Sequence, residues 1–396
     1  MSMSYWLQEK ISNSPATASQ KYDVVIVGGG IAGLSSAYWL QKENPQLKIA
    51  ILEKHRLGFG ASGRNAGFVT CGSTEHFIKL QEQFGLTKAV EIWKFSEDNR
   101  KLLLEHIIED KWDDVDFRLT GSCTVAPSSA HWEKYKNVAR TMRDSGIDVY
   151  EVSPEEMERD YGVTGFEGGI QYRGDGYIHP IKLLQKMRSR LNVDVFEEHD
   201  VLDIHQTGHS QVVRTSRGDF SAGKVIVTLN AYLPLVLKDF SNIIKPGRGQ
   251  ILVTEPLPDF VKGPCYLTKH LCYFRQLPTG HLLIGGFRNL AIETENTHED
   301  AITDLIQNAL YDFVKSHFKY GPQAKVAHQW SGIMGFSPDG QMLLGNLPDN
   351  PGVHVIAGCS GHGMGLSFNA ARTMVGHMFG KEIPAHLQVG RVLGDL

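Results

Sequence analysis

The 396-residue sequence holds only five cysteines and no C-x-x-C pair. Cys71, Cys123 and Cys359 stand far apart, and only Cys265 and Cys272 lie near each other. That spacing argues against a disulfide framework or a zinc site, so reduced thiols and a cytoplasmic location are expected. Long apolar runs are also missing. Nothing approaches the length of a membrane span, and the first 22 residues, MSMSYWLQEKISNSPATASQKY, lack the apolar core of a secretory signal. Charge of one sign is scarce too. Lys and Arg number 40 against 44 Asp and Glu, and the net −4 gives no reason to invoke nucleic acid or an anionic membrane. At 41% hydrophobic and 21% charged the composition is that of a globular protein, and the length suits two packed, interleaved domains.

Glycine is plentiful, at 41 residues, and it gathers at a few points. The first is DVVIVGGGIAG, Asp23 to Gly33. Asp23 to Val27 reads as a buried parallel strand, and Gly28, Gly30 and Gly33 follow with G-x-G-x-x-G spacing. Leu34, Ala37, Tyr38 and Gln41 then recur at helical intervals. In such a unit one glycine makes the turn, one admits a pyrophosphate and one lets helix close on strand. The helix N-terminus, at Ile31 and Ala32, offers amides and a partial positive charge to phosphate. Leu47 to Leu52 reads as the next strand, and Glu53, followed by Lys54, stands where a carboxylate accepts the adenosine ribose hydroxyls. Dinucleotide binding is the expectation.

A second glycine-rich stretch, GFGASGRNAGF at residues 58 to 68, follows closely. Gly60, Ala61, Ser62, Arg64, Asn65, Ala66 and Gly67 combine free backbone N–H groups with one fixed cation, which suits a phosphate and the polar edge of a flavin. A plain nicotinamide enzyme has no need of this loop, so FAD is favoured. Residues 74 to 111 read as two helices, and Ser128 to Ser145 as a third. Ser153-Pro-Glu-Glu156 opens a fourth with a capping box. Pro180 suits the first turn of a helix to about Leu191; His179 before it is either a catalytic candidate or a structural hydrogen-bonding group. Strands are expected within Val193 to Leu229, returning the chain to the parallel sheet at Asn230.

Ile243 to Phe287 reads as antiparallel, with Arg275 in its middle strand, and Asp300 to Phe318 as an amphipathic helix burying Ile302, Leu305, Ile306, Ala309, Leu310, Phe313 and Val314. Val353 to Ala357 is a further buried strand. GCSGHGMG follows it, with Gly361, His362, Gly363 and Met364 opening a helix. Its positive end would stabilise negative charge on the pyrimidine side of a reduced flavin.

Together these segments resemble the FAD-dependent amine and amino-acid oxidase family that includes D-amino acid oxidase, glycine oxidase and sarcosine oxidase. GGGIAGL resembles its nucleotide fingerprint, GASGRNAGF its flavin-edge loop, DGYIHPIKL the start of its central helix, VIVTLNAY its third FAD segment and GCSGHGMG its C-terminal flavin helix. The resemblance is nearest to the branch typified by gamma-glutamylputrescine oxidase, through Ser4-Tyr-Trp6, SGRNAG and Trp330-Ser-Gly followed by Met334-Gly-Phe-Ser-Pro-Asp339. Two departures stand out. Leu229-Asn230 replaces an expected glycine, and Ile333, Met334 and Gly335 occupy a region where amino-acid oxidases of the family carry a carboxylate-clamping arginine. Methionine cannot supply that bidentate fork.

The resemblance implies an α/β fold, α+β in its second lobe: a Rossmann-like FAD-binding domain (1–75, 176–235 and 330–396) interleaved with an antiparallel-sheet substrate domain (76–175 and 236–329). It implies a flavoprotein oxidising the C–N bond of an amine by hydride transfer to non-covalent FAD, with imine hydrolysis and reoxidation by oxygen to hydrogen peroxide. Sarcosine oxidases of the family attach flavin to a cysteine where this chain reads Gly332-Ile-Met334, and dimethylglycine dehydrogenases to a histidine where it has Arg64-Asn65. Two alternatives stay open: a dehydrogenase serving a quinone or carrier, and a non-catalytic FAD-binding partner subunit. Arg275, His362 and His179 are the candidate catalytic residues; no metal is expected, and the oligomeric state is not legible.

Overall fold

A computed structural model describes residues 2–13 and 21–393; of the partly ordered arm expected over residues 1–20, residue 1 and residues 14–20 lie outside the described residues. The first sheet runs in the spatial order Leu343–Asn346, Val353–Ala357, Gly218–Val227, Lys21–Val27, Ile49–Leu52, Asp194–Phe196. All neighbours in that row are parallel except the first pair. The strands are apolar on both faces because both are covered. Ile26 and Ile51 face a cluster with Leu34, Leu40 and Phe368, which lie on helices Ile31–Glu43 and Gly363–Met378. Val25, Val27, Leu52 and Val225 face a second cluster with Phe240 and Leu343. The meander Val201–Thr207 and Ser210–Thr215 extends one end of Gly218–Val227, turning at Gly208 as the sequence indicates.

The second sheet also has eight strands, in the order Val326–Phe336, Lys245–Pro256, His281–Gly285, Cys272–Gln276, Cys265–Leu267, Ser122–Val125, Gly169–Tyr172, Val149–Val152. Every pairing is antiparallel except Cys265–Leu267 with Ser122–Val125. The block read as purely helical therefore contributes three strands. Each has four residues, too few for alternation to register as a period. The expected domain boundary at residue 330 falls inside Val326–Phe336, which pairs along its length with Lys245–Pro256.

One face of this sheet is covered by helix Asp304–His317, where Ile306, Leu310 and Val314 meet Leu252, Leu282 and Ile284. Two residues assigned to that helix's apolar face are corrected: Ile302 and Leu305 are 42% and 55% exposed. The helix starts at Asp304, so Ile302 precedes it, and Leu305 falls outside the buried row of Ile306, Leu310, Phe313 and Val314. The opposite face sends Ile251, Val253, Leu283 and Trp330 into the same cluster as Ile26 and Phe368. That shared cluster fixes the two sheets to each other. Among the described residues no helix is long and apolar enough to cross a membrane.

Candidate functional site

The parallel sheet ends at a tight strand-to-helix junction. A Cβ on Gly33 would sit 1.9 Å from the Gly28 carbonyl oxygen, so only glycine lets the helix close on the strand. The Ile31 amide, at the helix N-terminus, donates to Ser62 Oγ at 2.9 Å. The second glycine-rich stretch thereby reaches the end of the first helix. Glu53 follows Ile49–Leu52, and its carboxylate accepts from the Gly29 amide at 2.8 Å and the His55 amide at 2.9 Å. Burial raises its pKa, and the two amides oppose that rise. The Lys54 ammonium turns outward to Asp200 at 2.8 Å. Beyond Glu53 a cavity of about 510 Å³ opens, lined by His55, Phe59, Phe196, Glu197 and His199 among others. Sequence reading missed Phe196 and Glu197, because more than a hundred residues separate them from Glu53 and only parallel pairing brings them alongside.

The loop from Gly63 to Gly67 is held by its carbonyls. Ser4 Oγ donates to Gly63 O at 2.6 Å, Trp330 Nε1 to Arg64 O at 2.9 Å and Trp6 Nε1 to Asn65 O at 2.7 Å. Arg275 Nε donates to Ala66 O at 2.7 Å, and the Ile178 amide to Gly67 O at 2.8 Å. Five donors from four distant segments thus hold one run of carbonyls. Among the described residues the Asn65 and Ala66 amides have no protein acceptor. The Asn65 side chain closes the loop on itself, donating to Ala61 O and Ser62 O and accepting from the Gly67 amide. Gly60 has open space where a side chain would be. Arg64, 6% exposed, pairs with Asp300 at 3.1 Å and donates to Ser2 O and Ser331 O, yet its Nη2 is buried without a partner among the described residues.

The C-terminal junction repeats the first. Helix Gly363–Met378 begins at the His362 cap, with Gly361 at φ 88° before it. Met364 is buried, and its carbonyl accepts from Asn99 Nδ2 at 3.2 Å. Asn230, which replaces an expected glycine, adopts φ 46°, a conformation asparagine tolerates better than most residues. Its Oδ1 accepts from the Cys359 amide at 3.1 Å, which ties the Gly218–Val227 strand end to this junction.

The profile described as "DAO: FAD dependent oxidoreductase" matches residues 23–376, from the first strand through the C-terminal helix. The chain belongs to this FAD-dependent oxidoreductase family. Among curated relatives it is 26% identical to the probable oxidoreductase OrdL of Rhizobium meliloti, over 91% of this chain and 85% of that one. It is 25% identical to the gamma-glutamylputrescine oxidoreductase of Escherichia coli, over 88% and 82%. Its fold matches the crystal structure of glycine oxidase from Geobacillus kaustophilus with a TM-score of 0.76 at 21% identity, over 93% of this chain and 96% of that one. FAD is therefore its cofactor, and the residues present fit it: a glycine-cleared helix N-terminus, a buried carboxylate, free loop amides and an orphaned arginine nitrogen.

In this oxidoreductase the three catalytic candidates are placed differently. Arg275 is 1% exposed and spends its guanidinium on Ala66 O and Ile178 O, with Tyr177 and Trp6 rings against it. Burial lowers its pKa to about 10. It ties the second glycine-rich loop to the Tyr177–Ile178 segment. His179 caps helix Pro180–Ser189 through Nδ1, which accepts from the Lys182 amide at 3.3 Å. Burial takes its pKa down to about 4, so it is neutral at pH 7. Of the three, His362 alone stands at the C-terminal junction, with its ring stacked 4.7 Å from His76. Burial keeps both rings neutral, His76 with a pKa of about 3.

Thr70, whose carbonyl oxygen would lie 2.2 Å from a Cβ on Gly365, leads from this helix to a set of residues that no motif announced. Phe68 meets Tyr266 and Tyr273 edge-on at 5.3 and 5.8 Å, and Thr70 Oγ1 shares a 2.5 Å hydrogen bond with Tyr266 Oη. Tyr266, Tyr273, Gly285 and Ile251 lie in one register row across the antiparallel sheet, on the face turned toward the parallel one. Gly249 and Gly332 form a second row, with Met334 beside it reaching Gly361.

Proposed function

We propose that the protein oxidises the C–N bond of an amine or N-substituted amine. The observation that carries the reading is the aromatic cluster of Phe68, Tyr266 and Tyr273, which Thr70 links to the C-terminal junction by bonding Tyr266 and packing at Gly365. An amine with a pKa near that of lysine is charged in water at neutral pH, and an apolar site shifts it toward the neutral form. Only the neutral form has the nitrogen lone pair that stabilises loss of hydride from the α-carbon. Gly28, Gly30, Gly33, Ile31 and Ala32 would hold the pyrophosphate, Glu53 the ribose, and the Asn65 and Ala66 amides the flavin edge. Helix Gly363–Met378 would direct its positive end at the flavin.

FAD supplies the two-electron acceptor. The substrate loses hydride from its α-carbon, and the imine so formed adds water and releases a carbonyl compound and an amine or ammonia. Oxygen as the electron acceptor yields hydrogen peroxide. The protein binds and orients the amine, and excludes water from it with the aromatic cluster. The similarity to gamma-glutamylputrescine oxidoreductase and glycine oxidase supports the same chemistry.

Anaerobic addition of amines to the yellow holoenzyme should bleach its absorbance, and readmitted air should restore it with peroxide. A flavin that stays oxidised with polyamines, γ-glutamyl amines and N-methyl amino acids alike would overturn the reading. Bleaching without peroxide would assign the electrons to a quinone or carrier instead.

A further inference from the structure

The second glycine-rich loop has two amides left over, and each belongs to a peptide unit with a tryptophan behind it. A peptide unit joins the carbonyl of one residue to the amide of the next. The Asn65 amide therefore shares a unit with Arg64 O, and the Ala66 amide with Asn65 O. Trp330 Nε1 donates to the first of these carbonyls at 2.9 Å, and Trp6 Nε1 to the second at 2.7 Å. Among the described residues neither amide has a protein acceptor. The units on either side are closed. The Arg64 amide donates to Ala61 O at 3.2 Å, and the Gly67 amide to Asn65 Oδ1 at 2.7 Å.

Both indoles are fixed from outside the loop. Trp330 is fully buried in strand Val326–Phe336, in register with Ile251. Trp6 is buried in the short turn Tyr5–Gln8, whose Ser4 cap accepts from the Trp6 amide at 3.1 Å and donates to Gly63 O. Its ring meets His179 edge-on at 4.8 Å, and the Arg275 guanidinium lies 5.5 Å from it. An indole carries one N–H and no acceptor, so each tryptophan can only donate. A donor on a carbonyl draws electron density along the unit. The N–H at the other end becomes a stronger donor, by roughly 10–30% per bond in a low-dielectric interior.

We propose that Trp6 and Trp330 tune the flavin. Through the two peptide units they aim and strengthen the Asn65 and Ala66 amides, which then favour negative charge on the bound ring. Both act through backbone, so they are positioning residues. A reduced flavin, or one that has accepted a nucleophile, carries more negative charge than the oxidised ring, and the stabilisation is larger for it. The proposal rests on reading those amides as the donors to the flavin edge, and it is independent of which substrate is oxidised.

The test uses holoenzyme and no amine. Sulfite adds its lone pair to the oxidised ring and leaves negative charge there, so its affinity and the flavin midpoint potential are the two readouts. Trp6→Phe and Trp330→Phe should each weaken sulfite binding about 3- to 10-fold, the range of one hydrogen bond. Each should also lower the potential, a tenfold effect corresponding to about 30 mV for a two-electron couple. Ser4→Ala removes a donor from a unit whose amide is already closed, so it should move both readouts much less than either tryptophan variant. Circular dichroism and FAD content check that each variant folds. If Trp330→Phe does not fold, Trp6→Phe decides; if the parent forms no sulfite adduct, the potential decides. Phenylalanine variants with parental affinity and potential would overturn the proposal. A Ser4→Ala shift as large as theirs would overturn it too, because the donors would then only hold the loop in place. Anaerobic bleaching is scored separately: shifted potentials with no amine able to bleach the flavin would sink the oxidase reading and leave the tuning standing.

Discussion

The two sheets meet the cofactor region in opposite ways. The parallel sheet offers a strand end, where neighbouring residues in the chain make a junction with no room to spare. The antiparallel sheet offers a face, where glycines on several strands leave room and side chains from other strands fill it. At Gly33 the obstacle to a side chain is backbone, the Gly28 carbonyl oxygen at 1.9 Å. At Gly285 the obstacle is the Tyr273 phenol ring, with Oη at 2.4 Å. Backbone locked between strand and helix cannot yield, whereas a ring at the edge of the core can turn. The first arrangement is rigid, and the second is adjustable.

Breaking the rigid junction should have the largest effect. Gly33→Ala forces helix Ile31–Glu43 off the strand, and the variant should lose bound FAD and on the order of 3 kcal/mol or more of stability. FAD retained through gel filtration and the urea midpoint measure both; a yellow variant with a parental midpoint would refute the account of the junction.

A second test probes the cost of covering both faces of the parallel sheet. His354 lies in Val353–Ala357, 4% exposed, and neither ring nitrogen has a partner among the described residues. Burial, helped by Lys224 and His377, takes its pKa down to about 4. The unfolded chain therefore takes up this proton first, near pH 6.5, and stability is lost as pH falls from there toward 4. At pH 5 the loss is about 2 kcal/mol, and near pH 7 it is close to nothing. His354→Leu should raise the unfolding free energy from urea titration at pH 5 by that amount relative to its effect at pH 7. An equal effect at both pH values would show that this histidine is not the group responsible. Buried polar groups of the antiparallel sheet, by contrast, are partnered: Gln250 bonds Glu295 and Thr303 as well as Gln307.

The smallest change in stability is expected on the adjustable face. Gly285→Ala should fold with FAD bound and stay within about 1 kcal/mol of the parent, because the Tyr273 ring can swing aside. If it lost FAD as Gly33→Ala does, the contrast between the two regions would be wrong.

Legibility in the sequence follows the same division. Strand Lys21–Val27, helix Ile31–Glu43 and Glu53 were readable because the junction is contiguous and its glycines answer local steric demands. The capping box at Ser153 and the helix at Gly363 were readable for the same reason. The tryptophan and arginine donors on the flavin-edge loop were not readable as such. Trp6 lies hundreds of positions from Arg275 and Trp330, and the three carry no shared spacing. Arg275 is a catalytic candidate on sequence alone; only packing shows that it holds backbone carbonyls.

By itself the sequence determined the FAD-binding framework, since short-range sterics and hydrogen bonding at glycine-rich turns need no distant partner. The tertiary structure alone decided which charges are free. Glu295 is neutralised by Arg248 and Arg64 by Asp300, while among the described residues Arg288 is left unpaired, because charge compensation depends on which strands lie side by side. Chain order does not record that adjacency; the register of the antiparallel sheet does.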